Sequence, residues 1–188
     1  MTDRALLLKA LGVDLPPDLL TIALTHRSYS YENGGLPTNE RLEFLGDAVL
    51  GLTITEELYH RHPDRSEGDL AKLRASIVNT HALADVGRQL TDDGLGSYLL
   101  LGKGEEHSGG ADKSSILADG VESLLGAIYL EHGITTAREV IMRLFRALLD
   151  TAPTLGAGLD WKSSLQELTA ARSMGAPSYV VKIGRAHV

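Results

Sequence analysis

Three carboxylates within residues 39–49 are spaced for one face of a helix. Glu40, Glu43 and Asp47 fall at positions i, i+3 and i+7, which places side chains on the same side of an α-helix. Most other positions are apolar: Leu42, Phe44, Leu45, Val49, Leu50, Leu52 and Ile54. A helix this apolar is normally buried, and buried carboxylates are costly unless a hard cation such as Mg2+ compensates them. The alternative is a solvated polar stripe on a surface helix.

A second apolar segment repeats the pattern, with Asp119 and Glu122 at i and i+3. If the two helices face each other, four carboxylates meet at one point: Glu43, Asp47, Asp119 and Glu122. An oxygen-only group of this kind suits one or two Mg2+ ions, and two ions ~3.5–4 Å apart can clamp the attacking water and the leaving oxygen in phosphodiester hydrolysis. Lys113, just before the second segment, could stabilise charge on the phosphate; a solvated lysine is an equal alternative.

The elements that must position these residues are mostly helical. Hydrophobic periodicity, caps and breakers predict helices over residues 4–11, 18–24, 39–59, 67–90, 114–133 and 136–149. Ser66 is expected to cap the helix that begins at residue 67. The Gly-rich stretch 91–113 is predicted to be a long loop, since it lacks the strand and helix that would frame a phosphate-binding loop.

Composition narrows the class of protein. The chain has 188 residues, a formal net charge of −7 and no cysteine, which excludes disulfides and thiolate metal sites. The acidic excess lies in the first 150 residues, whereas the remainder is mildly basic. No signal peptide and no apolar run of ~18 residues is present, so we expect a cytoplasmic protein that does not enter a membrane. A di-iron bundle is excluded because its Glu-x-x-His motif occurs only once, at residues 57–60.

Four blocks of the sequence resemble the ribonuclease III family, in its bacterial and actinobacterial form. They are NERLEFLGDAV at 39–49, THRSY at 25–29, EGDLAKLRASIVN at 67–79 and DKSSILADGVESLLGAIYL at 112–130. The resemblance implies an all-α endonuclease domain over residues 1–150. It also implies a homodimer that cuts double-stranded RNA, leaving 5′-phosphate and 3′-hydroxyl ends, and that processes ribosomal RNA precursors and structured messages.

The resemblance also implies roles for individual residues. Asp47 and Glu122 match the family's catalytic positions, and together with Glu43 and Asp119 they match its metal ligands. Glu40 and Glu67 match supporting acidic positions. The expected cofactor is Mg2+, for which Mn2+ can substitute, and no organic cofactor is expected.

The C-terminal segment is similar to the start of a double-stranded-RNA-binding domain. We expect a linker at 151–158, then an incomplete α/β domain at 159–182 that comprises its first helix and first strand. By resemblance, the RNA-contacting residues of that helix are Ser163, Gln166 and Glu167. Residues 183–188 do not resemble the family, so we interpret them as a non-native tail of a C-terminally truncated chain.

Overall fold

A computed structural model describes residues 3–156 and, beyond them, residues 165–166, 168–170, 172, 174–175 and 177–178. The helices are α1 (Arg4–Leu11), α2 (Pro17–Leu24), α3 (Arg27–Glu32), α4 (Glu40–Arg61), α5 (Glu67–Ile77), α6 (Thr80–Gln89), α7 (Lys103–His107), α8 (Ser114–Leu144) and α9 (Arg146–Gly156). Short 3-10 turns lie at Leu95–Ser97 and Gly110–Asp112. These described residues contain no strand beyond an isolated parallel bridge between Thr25 and Leu100, which confirms the all-α prediction.

Helices α4 and α8 form the centre of the fold. Their inward faces supply fully buried side chains, including Leu50, Ile54 and Leu58 from α4 and Leu124 and Ile128 from α8. The two backbones touch at a pair of glycines. A Cβ atom on Gly46 would lie 1.8 Å from the carbonyl oxygen of Glu122, and one on Gly126 would lie 2.2 Å from that of Leu42. Only glycine permits this approach.

One face of α4 contradicts the expectation of a wholly buried helix. Phe44, Leu52 and Tyr59 are 80%, 61% and 65% exposed. Their spacing of eight and seven residues places them on one stripe of the helix. The apolar sequence of α4 therefore serves two faces, one in the core and one on the protein surface.

The predicted helix over residues 67–90 is divided into α5 and α6. Asn79 is extended (φ −150°, ψ 160°) and its side chain accepts a hydrogen bond from the Ala82 N–H. Its amide nitrogen also donates to the carbonyl of Ala75 at 3.0 Å. Asn79 thus ends one helix and caps the next, as a short polar side chain can. The predicted Ser66 cap is confirmed, since Ser66 accepts from the Asp69 N–H.

The later boundaries differ in detail from the prediction. Gly133 interrupts α8 with a left-handed φ of 78°, where the sequence predicted a stop. A further break at Phe145 separates α8 from α9, and α9 continues to Gly156. The predicted end at residue 149 was therefore early, and residues 151–156 of the expected linker are helical. The predicted strand after residue 177 lies outside the described residues, apart from its first residue.

The segment around Thr25 joins the central helices to the 91–113 stretch. The Thr25 carbonyl accepts from the Asn39 N–H at the start of α4, and the Leu100 N–H donates to Leu24. On the α8 side, the buried hydroxyl of Ser123 donates to the Ala23 carbonyl at 2.6 Å. The 91–113 stretch is thus not a free loop, because it includes α7 and is tied to the core. Within the described residues, no helix has both the length and the apolar character needed to cross a bilayer.

We expect Gly46→Ala to destabilise the fold by ~3 kcal/mol or more, because its Cβ would overlap backbone rather than a movable side chain. Gly68→Ala is the matched control, since a Cβ there has only the Ser66 hydroxyl within 4 Å, at 3.9 Å. Chemical denaturation of both variants measures the difference. Equal stability of the two variants would contradict the close crossing of α4 and α8.

Candidate metal centre

Three carboxylates from the two central helices form one group. Glu43 of α4 and Asp119 and Glu122 of α8 each offer an oxygen, and these oxygens lie within 4.8 Å of one another. All three side chains are partly buried. The glycine contact explains the arrangement, because Gly46 lies one turn after Glu43 and rests against the backbone of Glu122 itself.

The group is electrostatically strained without a cation. Burial, followed by the charges of Asp47, Asp119 and Glu43, raises the pKa of Glu122 to about 8. Burial also raises the pKa of Asp119. The pKa of Glu43 is raised by burial and then by Asp119, Glu40 and Asp47. A divalent ion would offset both the burial of these carboxylates and the repulsion between their charges. An all-oxygen donor set fits a hard ion such as Mg2+ or Mn2+.

Asp47 is the fourth predicted ligand, and it lies outside this group of three. Asp47 is exposed on α4, but its charge raises the pKa values of Glu43 and Glu122. Glu40 lies about two turns before Asp47 and accepts a hydrogen bond from Thr38 at 2.9 Å. The structure therefore has three carboxylates in contact range of one ion and two more beside them.

The remaining predicted residues lie outside the group of three carboxylates. Lys113 is paired with Glu105, its Nζ atom 2.5 Å from Oε1, and also donates to Ser108 at 3.0 Å. The hydrogen bond from Lys113 to Glu105 holds the pKa of Glu105 below its usual range. Glu67 lies at the start of α5 and lines a cleft of ≈ 420 Å³ with Tyr59 and Arg74. Gln166 is exposed, while residues 163 and 167 lie outside the described residues.

Sequence reasoning missed the residues that connect α7 to the site. His26 interacts electrostatically with Glu105 and Asp119. Its Nδ1 atom is 2.8 Å from the Ser28 hydroxyl, which accepts a hydrogen bond from the Gly102 N–H at 2.9 Å. The THRSY block contains His26 and Ser28, but nothing in its spacing placed it against residues so far along the chain.

Comparison with known proteins defines the class. The family model described as Ribonuclease-III-like matches residues 16–148, and the chain belongs to the ribonuclease III family. The solved nuclease domain of ribonuclease III from Campylobacter jejuni is similar, with a TM-score of 0.72 and 40% identity over 79% of this chain and 99% of that one.

Two curated relatives are closer in sequence. Ribonuclease 3 of Mycolicibacterium smegmatis is 87% identical over 182 residues, which are 96% of this chain and 79% of the relative. Ribonuclease 3 of Mycobacterium leprae is 79% identical over 178 residues, 95% of this chain and 75% of the relative. The chain is thus a ribonuclease III endonuclease, as its sequence motifs predicted.

We expect Glu122→Gln to stabilise the metal-free protein, and more so at pH 8 than at pH 5. A carboxyl whose pKa is raised by folding binds more protons in the folded state, so the free energy of unfolding falls as the pH rises from ~4.5 to about 8. Glutamine is neutral throughout and removes this loss. Thermal unfolding at both pH values, in chelator, measures the difference.

Thermal unfolding of both proteins in Mg2+ instead of chelator is the control for the Glu122→Gln experiment. The ion should raise the unfolding temperature of the unsubstituted protein and have a weaker effect on Glu122→Gln, because binding stabilises only the state that binds. A Glu122→Gln protein that is less stable than the original at pH 8 in chelator would contradict the raised pKa.

Proposed function

We propose that the chain is a Mg2+-dependent endonuclease of double-stranded RNA that leaves 5′-phosphate and 3′-hydroxyl ends. The observation that carries the proposal is the group formed by Glu43, Asp119 and Glu122 at the crossing of the central helices, in a chain of the ribonuclease III family. We further propose that Mn2+ can replace Mg2+. Ribosomal RNA precursors and structured messages in the bacterial cytoplasm are the proposed substrates.

The proposed mechanism assigns each residue a task. Glu43, Asp119 and Glu122 would hold the ion, which would supply an activated water and neutralise charge on the phosphate. Asp47 is exposed and its charge acts on Glu43 and Glu122, and we assign it and Glu122 as catalytic. Lys113 is paired with Glu105, and we propose that it leaves this carboxylate to stabilise charge on the phosphate once RNA is bound.

The exposed stripe of α4 supports a homodimer. Phe44, Leu52 and Tyr59 form an apolar surface beside the cleft that is lined by Leu58, Leu70 and Ala71 among others. A two-fold axis brings the same surface of each copy together. An exposed aromatic residue of one copy, such as Phe44, can then pack into the apolar cleft of the other copy, and the reverse contact forms at the same time. The related C. jejuni structure is described as flexible in a region involved in dimer formation. Glu43 adjoins Phe44, so the dimer would have its two acidic groups beside one shared interface.

We expect Asp47→Asn and Glu122→Gln to lower the rate of cutting of long double-stranded RNA by at least ~100-fold, since even outer partners of metal ligands are worth ~10–100-fold. Gel analysis with Mg2+ or with chelator measures the rate. Asp64→Asn, an exposed carboxylate in the turn after α4, is the control and should cut normally. Undiminished cutting in chelator, or in both site variants, would refute the proposed metal-dependent function.

We expect Leu52→Asp to convert the dimer to monomers, because it introduces charge into the centre of the exposed stripe. Leu6→Asp is the matched control, as Leu6 is 51% exposed on α1 against 61% for Leu52. Light scattering coupled to size-exclusion chromatography gives the mass of each variant. A dimeric Leu52→Asp protein would place the interface elsewhere.

A further inference from the structure

Arg88, near the end of α6, holds the residues on either side of Lys113. Its Nε atom donates to Asp112 Oδ1 at 2.8 Å, and its Nη2 atom donates to the Asp112 carbonyl at 2.9 Å and to the Ser114 hydroxyl at 3.2 Å. The remaining Nη1 atom donates to Asp85, one turn earlier on α6, at 2.9 Å. All three guanidinium nitrogens are therefore engaged, two of them with the segment that leads into α8.

Lys113 is the residue at which the chain turns from the 3-10 turn at Gly110–Asp112 into α8. Its backbone is extended (φ −65°, ψ 126°). Its N–H donates to the Gly110 carbonyl at 3.2 Å, and its carbonyl accepts from the Leu117 N–H at 3.0 Å. The Lys113 backbone thus has a defined position, and the hydrogen bonds from Arg88 to the two adjoining residues tie that position to α6.

The side chain of Lys113 is held by different residues. Its Nζ atom donates to Glu105 at 2.5 Å and to Ser108 at 3.0 Å, and 44% of the side chain is exposed. Exposed ion pairs contribute little to stability, so a phosphate can replace Glu105 at small cost. The direction in which the freed ammonium group extends then depends on the backbone that Arg88 holds.

The start of α8 also determines the distance from Lys113 to the acidic group. Asp119 follows Lys113 by six residues, ~9 Å along the axis at the rise of an α-helix, and offers one of the three oxygens of that group. A phosphodiester bound at the group would therefore be met by Lys113 only if the backbone before α8 is correctly placed. Displacing a reacting group by ~1 Å can cost ~100-fold in rate.

We propose that Arg88 is a positioning residue for RNA cleavage: by holding Asp112 and Ser114 it places Lys113 where its ammonium group stabilises charge on the phosphate. Arg88 acts through Lys113 and not on the RNA itself, because its own nitrogens are already bonded within the protein. This inference rests on the proposed function, in particular on the role proposed for Lys113, and it adds a residue of α6 that lies outside the acidic group.

Three substitutions separate the geometry of Arg88 from its charge and from its effect on stability. Arg88→Gln removes the guanidinium group. Arg88→Lys keeps the positive charge but lacks the planar fork that bonds several acceptors at once. Arg138→Gln is the matched control, because the Arg138 side chain has the same exposed fraction of 36% and also pairs with two carboxylates, those of Glu56 and Glu57.

The test is steady-state cutting of long double-stranded RNA at saturating Mg2+, at a temperature at which every variant is folded. We expect both Arg88 variants to lower kcat by ~10–100-fold, the cost of a misplaced group. The KM for RNA should stay nearly unchanged, because the contact is made mainly in the transition state. Arg138→Gln should keep the original kcat even if its unfolding temperature falls. Mn2+ affinity without RNA, followed through the electron paramagnetic resonance signal of the free ion, should be unchanged in all three variants.

Combination with Lys113→Gln shows whether Arg88 acts through Lys113. We expect Lys113→Gln alone to lower kcat by ~100-fold, as the loss of one donor to developing charge does. Adding Arg88→Gln to Lys113→Gln should lower kcat no further, because residues that act as a unit have non-additive effects. A purely stabilising role for Arg88 would instead give losses that multiply.

Four results would overturn the inference and leave the Mg2+-dependent function intact. They are an original kcat in either Arg88 variant, an original kcat in Lys113→Gln, losses that multiply in the double variant, and a weakened Mn2+ affinity that accounts for the lower rate. An original protein that does not cut RNA in Mg2+ would overturn both proposals.

Discussion

The backbone contact between α4 and α8 is the constraint on which the site depends. Gly46 and Gly126 let the two helices approach more closely than ordinary side chains allow, and the carboxylate group lies at this approach. Gly46 faces Glu122, a member of the acidic group, and Gly126 faces Leu42, which precedes Glu43. The same contact therefore determines the distance between the helices and the distance between their carboxylates.

The acidic group lowers the stability of the metal-free fold, and the surrounding core offsets that cost. Around the three carboxylates the helices contribute buried leucine, isoleucine and valine side chains, and burial of such side chains is the dominant favourable term in folding. The burial that stabilises the protein is also the largest cause of the raised pKa of Glu122. A partly desolvated site that is crowded with like charge favours the binding of a divalent ion, and that binding would stabilise the folded protein.

The sequence predicted the helical class and the two acidic helices, because both depend on local spacing. Its prediction that carboxylates of the two helices meet required the helices to face each other, and three of the four do meet. It did not predict the break at Asn79, since the hydrophobic pattern continues across it and only the side-chain hydrogen bonds show the turn. Asp47, which the sequence predicted as a fourth ligand, is exposed and lies outside the group of three oxygens, so its role as a ligand stays a prediction. The pairing of Lys113 with Glu105 and of Ser28 with Gly102 depends on tertiary contacts, which spacing along the chain does not encode.

In the first half of helix α4, neighbouring residues belong to different structural features. Glu43 belongs to the acidic group, Phe44 to the exposed stripe and Gly46 to the crossing with α8, so neighbouring residues serve different parts of the molecule. Directed evolution for stability should therefore find few tolerated changes in the first half of α4.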